Sequence, residues 1–122
     1  MTGAEFSQAT KRVVADRAGR LCEAGVPYVC AGRGADFHHR RPRGAGGTSS
    51  SSLGAASNCL LLCRPCHDWI ESNRAVALER GWLVGSGDDP AVVPVFRRGA
   101  VAAYWLRFLP DGHVDYLGAV TS

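Results

Sequence analysis

The chain has 122 residues, 46% of them apolar and 20% charged, with a formal net charge of +3. These fractions are ordinary for one globular domain that can bury a small core. No apolar run approaches the ~18 residues of a membrane span, and Met1 to Ala15 lacks the apolar region of a secretory signal, so the expected compartment is the cytoplasm.

Residues 5–18 carry Phe6, Ala9, Val13, Val14 and Arg17 at helical spacing, which predicts an amphipathic packing helix ending near Gly19. Lys11, Arg12 and Arg17 are also candidates to face nucleic-acid phosphates from its outer side. Cys22 to Ala35 is turn-rich, with Gly25, Pro27, Gly32 and Gly34. Asp36 to Arg41 is expected to be a first strand. Residues 42–57 form a long Pro, Gly, Ser and Ala loop, and its Thr48–Ser52 run predicts no regular structure.

Asn58 to Leu62 reads as a short apolar second strand. Cys63-Arg64-Pro65-Cys66 is the turn into a helix from near His67 to about Asn73, and a second helical turn, Ala75 to Arg80, stops at Gly81. An irregular extended section through Phe96 follows. Residues 101–109 and 113–118 flank Pro110-Asp111-Gly112, a hairpin signal. The predicted class is α+β in one domain over residues 1–122, with a core at about 20–85 and an extension at about 86–122.

Five cysteines in a reducing compartment favour metal over disulfides, and Cys63-x-x-Cys66 has the spacing of two neighbouring zinc ligands. Cys22 and Cys30, separated by seven residues, are the other candidate pair. The basic residues are almost all arginine, and eight of them lie between Lys11 and Arg43 against Asp16, Glu23 and Asp36.

Two strings carry a more specific pattern: Phe37-His38-His39-Arg40-Arg41-Pro42-Arg43-Gly44-Ala45-Gly46-Gly47, then Asn58-Cys59-Leu60-Leu61-Leu62-Cys63-Arg64-Pro65-Cys66-His67. Over roughly residues 12–85 the chain resembles the HNH endonucleases, and looks closest to small HNH proteins of phages. It departs from their common pattern in the gap between the first cysteines, the long Ser-rich loop, and Cys59. The resemblance implies a ββα-metal (His-Me finger) core, to which the residues read above add an N-terminal helix, a structural zinc site and a C-terminal β-hairpin that lies mostly outside the resemblance.

His39 falls on the family's catalytic His, Asn58 on its Asn, and His67 on its last His. The resemblance further implies that His38 and His67 bind a divalent ion (Mg²⁺, Mn²⁺, Ni²⁺ or Zn²⁺), that His39 is the general base, and that Asn58 braces the loop and holds the His39 ring. Glu71, four residues after His67 and so on the same helix face, is a candidate third ligand or a solvated carboxylate. Thiolates favour zinc and close all four of its positions, so Cys22, Cys30, Cys63 and Cys66 are assigned to a structural Zn²⁺, with Cys59 as a buried side chain.

Arg40, Arg41, Arg43 and Arg64 bracket the expected site as phosphate contacts would. His113, far along the chain, reads as incidental. The implied partners are DNA and, for a phage-encoded protein in the host cytoplasm, terminase or packaging proteins. Two other readings stand beside the nuclease: a non-catalytic zinc domain that binds nucleic acid, and a packaging accessory module. They separate on whether His39 and His67 converge on one metal-sized gap.

Overall fold

A computed structural model describes residues 5–42, 54–99 and 101–120. Arg43, Gly46-Gly47 and the Thr48–Ser52 run lie outside the described residues.

Ser7 caps the first helix, α1 (Gln8–Ala18), by accepting the Thr10 N–H on its hydroxyl. Gly19 ends it in the left-handed region at φ 63°, a conformation that glycine adopts without the clash of a Cβ. Val14, Ala15 and Ala18 face inward. So does Arg17, which was expected to face phosphates. Its guanidinium lies 2.7 Å from Glu23 in an ion pair whose side chains are 2% and 0% exposed. It also donates to the carbonyls of Ala56 and Cys59, while Glu23 accepts the Leu61 N–H. A buried pair of this kind persists only when its remaining donors and acceptors are met.

Strand β1 (Asp36–His39) pairs antiparallel with β2 (Cys59–Leu62), from Asp36 opposite Leu62 to His39 opposite Cys59. A 3-10 turn, Ala56–Asn58, leads into β2. The first strand is two residues shorter than expected, although the Arg40 N–H still bonds to the Asn58 carbonyl, and the Arg40 side chain turns into the interior. Its guanidinium donates to the carbonyls of Ser57, Gly81, Pro90 and Val93 at 2.7 to 3.0 Å, and the residue is 0% exposed. The expectation that Arg40 contacts nucleic acid is therefore overturned. Burial lowers its pKa to about 9, with Arg17 acting the same way and Glu23 opposing, so it stays charged at neutral pH.

Helix α2 (Arg64–Ser72) begins three residues before the expected start near His67. The Cys-x-x-Cys segment is its first turn, with Cys63 as N-cap and Pro65 where a fixed φ and a missing N–H do no harm. Helix α3 (Arg74–Glu79) follows, and Gly81, at φ 75°, turns the chain toward Trp82. The predicted hairpin is present as β4 (Ala103–Phe108) and β5 (Val114–Val120), but it belongs to a three-stranded sheet completed by β3 (Val95–Arg98). Leu117 is the extra residue of a bulge, since Trp105 faces Gly118 and Leu106 faces Tyr116.

Val95, Phe96, Leu106 and Phe108 from this sheet join Leu60, Leu62, Cys63, Cys66, Ile70 and Trp82 in one buried cluster. Residues beyond 85 thus help to close the core. A second cluster, around Phe6, Val14, Ala18, Cys59 and Leu61, lies between α1 and β2. Cys59 is wholly buried there, as expected, and burial pushes its thiol up to about 12.

Replacing Arg40 by Ala would leave four carbonyls without their donor. We expect Arg40→Ala to lose about 3–5 kcal/mol, a large part of a small domain's stability. The exposed Arg12→Gln should stay within about 0.5 kcal/mol. Urea denaturation of the two variants beside the parent checks this, and equal midpoints would refute the buried clamp.

Candidate metal centres and the adjoining cleft

The first centre gathers thiols from three places. Cys22 follows α1, Cys30 sits in the turn-rich loop, and Cys63 and Cys66 open α2. Their four Sγ atoms lie within 4.8 Å of one another, and Cys30 and Cys63 are 3.9 Å apart. Zn–S bonds of 2.3 Å at a tetrahedral centre set sulfurs about 3.8 Å apart. The cluster is thus placed to bind a metal such as zinc.

Backbone amides point at the sulfurs: Ala31 and Cys66 donate to Cys63 Sγ, and Gly32 donates to Cys30 Sγ. Gly32 does so at φ 94°, where a side chain would be strained. Burial alone would raise the Cys63 thiol, but its amide donors hold it below the ordinary value. Burial and the crowding of neighbouring thiols raise Cys30 and Cys66. Four thiols brought this close together favour a shared cation.

The second centre joins His38 of β1 with His67 and Glu71 of α2. One ligand atom from each lies within 4.8 Å of the others. The two rings meet edge to face, with centroids 5.1 Å apart. Each ring has one nitrogen engaged. His38 Nε2 is 3.0 Å from the Trp82 carbonyl, and His67 Nδ1 is 3.0 Å from Asp36 Oδ2. Those acceptors fix the tautomers, leaving His38 Nδ1 and His67 Nε2 as lone-pair donors, the arrangement that orients metal-binding imidazoles. The donor set, two imidazoles and a carboxylate, fits a divalent ion. Glu71 is exposed and also meets Arg74 at 3.0 Å.

Asp36 was not singled out from the sequence as a site residue. Its signal was available, because Asp36 and His38 are two apart on a strand and share a face. The same carboxylate holds Arg64, whose Nε lies 3.2 Å away and whose side chain is 65% exposed.

His39 points away from His38, as alternation requires, and is not in the His38, His67 and Glu71 group. Its ring stacks on Phe6, with centroids 4.0 Å apart and planes 17° from parallel. His67 shares its metal-sized gap with His38 and Glu71 and not with His39, while His39 and His67 both line a cleft of about 450 Å³ with Glu5, Lys11, Asp36, Phe37 and Arg64. Strand β1 has a partner on one edge only, so residues of both its faces reach the cleft along the other.

Asn58 is fully buried and braces the chain after β1, accepting the Arg41 N–H on Oδ1 at 2.7 Å and donating to the Arg41 carbonyl at 3.3 Å. Arg41 is half-buried. His113 is exposed and pairs with Asp111, away from both centres. No helix among the described residues is long and apolar enough to cross a membrane. No family model matches the chain, and no curated protein or solved structure does.

Two outcomes follow from this geometry. Metal bound by four thiolates contributes about 10–16 kcal/mol, comparable with the whole stability of a domain, so Cys66→Ala should fail to fold and a strong chelator should slowly unfold the parent. Titration of stripped protein with Co²⁺ should produce a thiolate charge-transfer band, and its absence would contradict a shared site.

The other outcome concerns acid. Burial, above all, lowers His38 from 6.5 to about 4, so the unfolded chain takes up its proton first as pH falls. Stability should therefore drop between pH 6.5 and 4 in buffer without divalent ions. His38→Gln should flatten that limb relative to the parent, and parallel pH curves would disprove the assignment.

Proposed function

We propose that the chain is a metal-dependent DNA endonuclease of the HNH type, with β1, β2 and α2 as its ββα-metal unit and the four cysteines as a structural zinc site. The placement of His38, His67 and Glu71 around one gap, with both imidazoles oriented from behind, carries this proposal. His39, in the cleft beside that gap, supports it.

In this mechanism His38, His67 and Glu71 would hold a divalent ion. The ion, when bound, supplies positive charge to the scissile phosphate and the leaving 3′-oxygen. His39 takes the proton of the attacking water, a role for which an imidazole nitrogen is a suitable acceptor. Phe6 covers one face of that ring and restricts its rotation. Lys11 and Arg64 line the cleft and offer cations to the phosphate on either side of the cut. Asp36 keeps His67 in its ligand tautomer and holds Arg64 at the rim. Asn58 fixes the main chain at Arg41, just beyond His39, and so limits how far the base can move.

Purified protein incubated with supercoiled plasmid and a series of divalent ions should nick it. His39→Ala should retain the fold and the zinc while cleavage falls roughly 10²–10⁴-fold, the range for losing a positioned proton acceptor. His67→Ala should be at least as damaging and should also weaken divalent-ion binding, whereas His113→Ala should change neither. Undiminished nicking by a well-folded His39→Ala protein, freed of contaminating nuclease, would sink the nuclease proposal.

A further inference from the structure

The three-stranded sheet has a groove on one face that the cutting chemistry does not use. It encloses about 470 Å³ and is lined by Arg97, Arg98, Tyr104, Leu106, Val114 and Tyr116, with Leu21 and Cys22 closing one side. Strand register builds it. Arg97 lies opposite Tyr104, and Leu106 lies opposite Tyr116, so these side chains share a face. The rings of Tyr104 and Tyr116 are 5.1 Å apart and tilted by 51°.

Tyr116 is 61% exposed and Leu21 55%, a concentration of apolar surface that a small monomer seldom leaves open without use. No carboxylate lines the groove. Asp115, the nearest in sequence, lies opposite Arg107 in the strand register and so faces the other side of the sheet, and Glu23 is fully buried against Arg17.

We infer that this groove holds a single-stranded segment of nucleic acid, with a base against the tyrosine pair and its phosphates on Arg97 and Arg98. An aromatic platform beside cations matches the two halves of a nucleotide: rings stack on bases without regard to sequence, and guanidinium groups pair with phosphate. Leu21, on the groove's side, bridges to Arg33, and the Gly34 N–H bonds to the Arg20 carbonyl just before Ala35 and Asp36, which line the cleft. Arg20 and Arg33 in these segments are exposed. This inference rests on the nucleic-acid proposal above and adds a second contact to it.

The test measures binding of a labelled single-stranded oligonucleotide and of its duplex by fluorescence anisotropy, without divalent ions, across a salt series. The parent should prefer the single strand. Tyr116→Ala should weaken single-strand binding roughly 5- to 150-fold, and Tyr116→Phe, which keeps the ring, should restore it. Arg97→Gln and Arg98→Gln should each flatten the log–log salt slope by about 0.7. Urea midpoints equal to the parent's confirm that each variant is folded. Unchanged affinity and slope in all three lesions would overturn the groove assignment, even where His39→Ala abolishes nicking. Loss through Tyr116→Ala in a protein that never nicks plasmid would uphold the groove and remove the nuclease instead.

Discussion

A buried guanidinium must find acceptors for its N–H groups, and Arg40 finds them in the main-chain carbonyls of Ser57, Gly81, Pro90 and Val93. These carbonyls come from the turn before β2, the bend after α3 and the segment before β3. One side chain thus gathers three stretches that share no ladder with β1. The Gly81 carbonyl that it holds precedes the Trp82 carbonyl that orients His38. Charge burial and ligand orientation are consequently the same constraint, since the peptide between Gly81 and Trp82 serves both. The Arg17–Glu23 pair acts likewise between α1 and β2.

Helix α2 ties the two candidate centres together. Cys63 caps it and Cys66 sits in its first turn, while His67 and Glu71 leave it toward β1. A thiol site that fixes the first turn also fixes the direction of His67 one residue later. The acceptors behind the imidazoles, Asp36 and the Trp82 carbonyl, then hold the rings against rotation.

Much of this was legible in the sequence where the signal was local. The helix over α1, the strands flanking Pro110-Asp111-Gly112 and the Cys63–Cys66 pair follow from periodicity, turn chemistry and ligand spacing, and Cys22 and Cys30 from the preference of zinc for four thiolates. What escaped was long-range. Arg40 looked like a surface cation because arginine usually is one, yet its spacing of two from the buried His38 placed it on the inward face. Arg17 misled for the same reason, since nothing beside it in sequence announces Glu23 as its partner across the Gly19 turn. The start of α2 was placed late because the Cys-x-x-Cys segment was taken as a turn, although Pro65 is well suited to a first helical turn. β3 escaped because its pairing with β4 is a tertiary fact, and its run is interrupted by Pro94.

The buried cluster around Cys63 and Cys66 also contains Leu106 and Phe108, forty or more residues further on. During synthesis the ribosome would release the cysteines, the histidines and α2 well before those two side chains emerge. The thiols would then meet solvent on an unfinished core, and the gap between His38 and His67 would lack the strands that back Trp82. Competence to bind metal is in this way deferred until Leu106 and Phe108 have joined the core. A nascent chain holding every ligand would still be an incomplete site.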